Sequence, residues 1–146
     1  MNSKKILIGF FLLFFLIFLF YISQKSGEIK IVKIAGRDIK VELAQTREIQ
    51  EKGLSGREGL ALNTGMLFVF EKPGKYYFWM KDMKFPIDMI WIDEQMKVIF
   101  IKKDAKPILP LQNFGPDANS KYVLEVNANF SEENNLQIGD EVKFIY

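Results

Sequence analysis

Residues 87–92 read Ile-Asp-Met-Ile-Trp-Ile, and this hexapeptide decides the fold class. β-Branched and aromatic residues favour extended backbone, and six residues suit a strand better than a helix. Successive side chains of a strand point to opposite faces, so Ile87, Met89 and Trp91 share one side while Asp88, Ile90 and Ile92 share the other. Trp91 is therefore read as core packing. Asp88 stands on an apolar face and must find a partner, because an unpaired buried charge neutralises or destabilises the fold. A cation is expected beside it, with Lys81 or Arg57 as the candidates.

More segments of the same kind flank it on both sides. Val98 to Lys102 follows across Asp93-Glu94-Gln95, and Tyr76 to Lys81 precedes, after a turn by composition at Glu71-Lys72-Pro73-Gly74. Upstream, Ile29 to Ile34 and Ile39 to Ala44 flank Ala35-Gly36-Arg37-Asp38 in the manner of a β-hairpin. Thr46 is placed to cap a short helix through Lys52 that Gly53 stops, and Gly65 leads into Met66 to Phe70. Downstream, a polar loop from Lys106 to Ser120 precedes a strand from Tyr122 to Asn127, a helical turn near Ser131 to Asn135 and a strand from Glu141 to Ile145. Many short strands with closely spaced turn signals predict a mainly β fold, a compact antiparallel β-sandwich or barrel with one or two short helices as accessories.

One stretch breaks this pattern. Ile6 to Ile22 is seventeen residues without a charge and holds six of the fourteen phenylalanines. As a helix it would cover about 25 Å, the short end of what a bilayer core of about 30 Å requires, and Lys4, Lys5 and Lys25 can snorkel to cover the rest. No small-residue cleavage site follows, so the segment is expected to stay as an uncleaved signal anchor, with secretion after cleavage as the alternative. The sequence thus divides into a membrane anchor over residues 1–27 and a single soluble β-rich domain over 28–146. A short basic tail before the first apolar segment places that domain on the extracytoplasmic side of the cytoplasmic membrane.

Composition excludes several chemistries. The chain of 146 residues contains neither histidine nor cysteine. That removes Ser-His-Asp and Cys-His nucleophiles, Cys/His zinc sites and disulfides. Residues 28–146 carry 17 basic against all 18 acidic residues, a net charge of −1, and their lysines are scattered among acids. Nucleic acid is not the expected partner. Met66, Met80, Met83 and Met89 read as core filling rather than thioether metal ligands, and no metal or cofactor is expected.

A set of ordered motifs goes further. Val41-Glu42-Leu43-Ala44, Gly53-Leu54-Ser55-Gly56-Arg57, Gly65-Met66-Leu67-Phe68-Val69-Phe70, Phe78-Trp79-Met80-Lys81, Pro86-Ile87-Asp88 and Tyr122-Val123-Leu124-Glu125-Val126-Asn127-Ala128 resemble domain of unknown function family 192, from about Ile39 to the C-terminus. The resemblance implies a jelly-roll-like β-sandwich, often behind a signal or anchor segment, without an assigned activity. Where that family usually has Asn-Thr after the motif lysine, this chain has Asp82-Met83.

The polar residues of these motifs form the candidate site. Glu125 and Asn127 project to the side of Val123, and Arg57, Lys81 and Asp88 are placed to meet them, with Trp79 as an adjacent aromatic. Convergence of Arg57, Trp79, Lys81, Asp88, Glu125 and Asn127 would make the wall of a pocket for a small polar or anionic ligand. The function expected is a small-ligand-binding or interaction module, with a hydrolase using Asp88 and Glu125 as acid and base as the alternative. An ion pair pinning the Arg57 loop to the sheet is the purely structural reading of the same residues.

Overall fold

Strand follows strand with few interruptions in the computed structural model, which describes residues 28–108, Pro110 and 112–146. The elements are β1 (Ile31–Ile34), β2 (Arg37–Ala44), helix α1 (Arg47–Lys52), β3 (Thr64–Gly74), β4 (Ile87–Ile92), β5 (Val98–Ala105), β6 (Ser120–Asn127), helix α2 (Phe130–Glu133) and β7 (Lys143–Ile145). The apolar stretch 6–22 expected to cross a membrane lies outside the described residues. No helix among the described residues is long and apolar enough to do so.

The mainly β reading holds, with two short helices, but the layering differs from a sandwich. All seven strands join one sheet in the order β5-β4-β6-β3-β2-β1-β7. The sheet curls into a half-barrel that brings its two ends together. Val98 N donates to the Asp140 carbonyl at 3.0 Å, Gly139 N to the Val98 carbonyl at 2.8 Å and Val142 N to the Met96 carbonyl at 2.9 Å, so the start of β5 meets the segment before β7. The sheet is also not wholly antiparallel, since β2 and β3 pair in parallel. Parallel neighbours need a crossover of a dozen residues or more, and the chain between Ala44 and Thr64 supplies it, carrying α1.

Local signals mostly place the elements as read. The β1–β2 hairpin turns on Ala35 and Gly36 alone, both at positive φ, so Arg37 and Asp38 join the strand. Thr46 Oγ1 accepts from Ile49 N at the start of α1, and Gly53, at φ 48°, ends it. Two expectations fail. Glu71-Lys72-Pro73-Gly74 is not a separate turn but the irregular end of β3, where pairing to β6 shifts register between Val69 and Gly74. Tyr76 to Lys81 is not a regular strand; its only ladder contact among the described residues is the Phe78–Phe114 bridge. Its aromatic side chains instead cover the sheet. Phe78 packs edge-on against Phe68 and Trp91, and Tyr76 stacks on Phe70.

The sheet is buried on both faces. Val32, Ile34, Ile39, Leu67, Ile90, Ile92, Val98, Leu124, Val126 and Val142 fill one side. Because they come from both ends of the strand order, that side is the inside of the curl. Met66, Phe68, Ile87, Met89, Trp91 and Val123 form the outer face, covered by Leu54, Met80 and the 76–79 segment. Trp91 is fully buried there and donates Nε1–H to the Tyr76 carbonyl at 2.8 Å. Gly65 lets β6 pass close to β3: a Cβ there would meet the Glu125 carbonyl oxygen at 2.5 Å.

Candidate functional site

The two interior carboxylates lie on opposite faces of the sheet. Asp88 pairs across the ladder with Val126 and points into the curl, whereas Glu125 stands opposite Met66 on β3 and Met89 on β4, on the outer face. A shared acid–base cleft is thereby excluded for this pair, and the hydrolase reading goes with it.

Asp88 is fully buried, and its partner is not a cation. The expected pairing with Lys81 or Arg57 is replaced by backbone N–H groups. Oδ2 accepts from Ser131 N at 2.8 Å, and Oδ1 accepts from Asp104 N at 2.9 Å and Asn129 N at 3.3 Å. Backbone strain at the partners makes this possible. β5 bulges between its pairings with Ile87 and Met89, and Asp104 takes φ 45°, which frees its N–H from the ladder. Asn129, at φ 72°, begins α2 without a side-chain cap, and the β4 carboxylate supplies the cap instead. Asp88 therefore ties β4, β5 and the β6–α2 turn together, a structural task.

Glu125 has the opposite surroundings. It is 5% exposed, and its Oε2 is sealed from solvent without a hydrogen-bond partner among the described residues. Burial between two methionines pushes its carboxyl up to about 8, and the Arg57 charge offsets this only in part. Burial thus favours its protonated form.

A cavity of about 220 Å³ opens over this group. Phe68 and Phe70 of β3 and Glu125 of β6 line it from the sheet, Tyr76 to Trp79 from one side, and α1 with Gly53-Leu54-Ser55 from the other. Specific bonds hold the walls. Gln50 Nε2 donates to the Ala44 and Val69 carbonyls, both at 3.0 Å, which ties α1 to β2 and β3. Ser55 Oγ donates to the Lys81 carbonyl at 2.9 Å and Gly56 N to the Asp82 carbonyl at 2.8 Å, which ties the loop after α1 to the segment beyond Trp79. Asp82 adopts φ 56°, and Met83 lines the cavity, so the Asp82-Met83 departure from the family pattern falls at this wall.

Of the six residues singled out from sequence, the cavity brings together Glu125 and Trp79, the latter half-exposed at the rim. Arg57 lies close enough for its charge to act on Glu125, but its guanidinium is engaged elsewhere: Nη1 and Nη2 donate to Glu42 Oε1 and Oε2 at 2.7 and 2.8 Å. Lys81 is exposed. Asn127 donates Nδ2–H to the Leu60 and Ala61 carbonyls and fixes the crossover loop, in a separate depression. Sequence reasoning missed Phe68, Phe70, Tyr76 and Phe78 as site residues. The signal available was density: six aromatics fall within residues 68–79.

The family model DUF192, described as an uncharacterized ACR, matches residues 30–144. The chain belongs to this family. Among solved structures, a protein of unknown function from Novosphingobium aromaticivorans is similar to this DUF192 chain at 29% identity and a TM-score of 0.73, covering 82% of this chain and 89% of that one. A proposed transcription regulator from Sinorhizobium meliloti is similar at 28% identity and a TM-score of 0.72, covering 81% and 98%. No curated protein matches the DUF192 chain.

Proposed function

We propose that this DUF192 protein is a small-ligand-binding module, tethered to the cytoplasmic membrane through residues 6–22 with its sheet on the extracytoplasmic side. The observation that carries the binding reading is Glu125 in the lining of an aromatic-walled cavity, a buried carboxyl whose Oε2 has no hydrogen-bond partner among the described residues. A buried polar atom without a partner costs about 1–3 kcal/mol. A ligand that supplied the missing bond would recover part of that cost, and flat aromatic walls would hold an apolar body of modest size. The tether rests on the length and purity of the apolar stretch and the basic residues around it. The balanced charge of residues 28–146 gives no support to nucleic-acid binding.

A thermal-shift screen of the full chain in detergent, against small polar and aromatic compounds, tests the binding reading. Compounds that occupy the cavity raise the melting temperature of the wild type and do so less for Trp79→Ala. A screen in which no compound distinguishes the two proteins removes the reading. For the tether, protease added outside intact cells should degrade the domain while residues near the N-terminus stay with the membrane fraction.

A further inference from the structure

The cavity's lining carries information on the charge of its occupant. Its lining includes the Glu125 carboxyl group, one oxygen of which meets no donor among the described residues. Its walls present the rings of Phe68, Phe70, Tyr76, Phe78 and Trp79, whose π faces are electronegative. Once Glu125 loses its proton, such a box repels anions, which would face both the carboxylate and the rings.

The charged groups around Glu125 do not reverse this. β3 and β4 contribute Met66, Phe68 and Met89, none of them charged. α1 and its following turn bring Arg47, Glu51 and Lys52 to the cavity lining, and Arg47 Nε is held by Glu51 Oε1 at 2.7 Å. The loop beyond brings Arg57, whose donors are engaged by Glu42 of β2. The aromatic segment adds the phenols of Tyr76 and Tyr77, and Tyr76 donates its hydroxyl to the Lys72 carbonyl at 2.7 Å. Among these, Lys52 is the cation without a salt bridge, and it is exposed on the helix end.

We infer that the cavity takes an organic cation of the amidinium, guanidinium or primary ammonium class, with its N–H groups on Glu125 and its apolar body between the aromatic walls. This rests on the binding reading above and adds the ligand's charge. Below about pH 8 a proton occupies the carboxyl of the free protein, because burial disfavours the anion. On binding, the Glu125 O–H bond breaks, the proton leaves to solvent, and the carboxylate accepts N–H bonds from the cation. Proton and ligand therefore compete.

The test uses the full chain in detergent micelles and the matched compounds benzamidinium, benzamide and benzoate, which share a shape and differ in charge. Binding is followed by fluorescence of Trp79 at the rim, from pH 6 to pH 9. Benzamidinium affinity should rise about 90-fold over that range, close to tenfold per unit below pH 8, as Glu125 ionises. Benzamide should bind at least about tenfold more weakly at pH 9, and benzoate more weakly still. Glu125→Gln should abolish the pH dependence and cost benzamidinium about tenfold or more at pH 9. The wild-type titration stands by itself if that variant misfolds.

Benzamidinium affinity that stays flat with pH, or that falls below that of benzamide or benzoate at pH 9, overturns the inference. If benzamidinium fails while another compound of the thermal-shift screen binds at Trp79, the cation assignment falls and the cavity's binding role stands. If nothing binds, both fall.

Discussion

The inner and outer faces of this sheet each bury one carboxylate, and the two are treated in opposite ways. Asp88, inside the curl, accepts three backbone N–H groups drawn from β5 and the β6–α2 turn. Glu125, under the aromatic segment, has an oxygen that no donor among the described residues reaches and a titration displaced to about 8. Burial by itself thus says little about the role of an acid. The partners decide: a carboxylate surrounded by fixed donors is a structural staple, and one placed in a cavity without donors is prepared for something that arrives later.

The largest expected effect breaks the staple. Asp88→Ala leaves the N–H groups of Asp104, Asn129 and Ser131 without their acceptor inside the curl. Charge-assisted bonds are worth about 1.5–3 kcal/mol each, so a loss of about 5 kcal/mol is expected in denaturant unfolding. A loss below about 1 kcal/mol would show that Asp88 does not hold these elements together. The next effect concerns the outer face and depends on pH. Glu125 ionises near 4.5 in the unfolded chain and near 8 in the folded one, so the folded state favours the proton. Its contribution is fully present below about pH 4.5, is lost as pH rises to about 8, and changes no further above that. Relative to Glu125→Gln, the wild type should therefore lose up to about 1.4 kcal/mol per pH unit across that window. A constant difference between the two proteins would place Glu125 in an ordinary carboxylate setting.

The smallest effect sharpens the contrast. Arg57 forms its forked pair with Glu42 on a partly exposed surface, where such pairs contribute less than about 1 kcal/mol. Arg57→Ala should cost about that much in stability. It should also move the Glu125 midpoint upward, since the Arg57 charge favours the carboxylate. An unchanged midpoint in the pH-dependent stability would mean that Arg57 acts only on Glu42.

Much of the framework could be read without coordinates. Strand β4 occupies the span read for it, because β-branched and aromatic residues leave Ile87–Ile92 few other conformations. The Thr46 cap and the Gly53 stop of α1 were legible for a similar reason: capping depends on a few neighbouring residues. Strand period alone also put Asp88 with Ile90 and Ile92, and Glu125 with Val123. The segment Tyr76–Lys81 shows the limit. Its aromatic composition suits a strand, yet it gains more by laying Tyr76 on Phe70 and Phe78 between Phe68 and Trp91 than by extending the ladder.

Local sequence determined that this DUF192 chain would be strand-rich, where the β1–β2 turn and the ends of α1 would fall, and which side chains would share a face, because each of these follows from the sterics of a few adjacent residues. Tertiary structure alone decided that β2 and β3 would run parallel, that the sheet would curl on itself, and that Asp88 and Glu125 would end on opposite sides with different partners. Those outcomes depend on groups far apart in the chain, such as the Ser131 N–H that meets a carboxylate 43 residues earlier, and no spacing along a single strand encodes them.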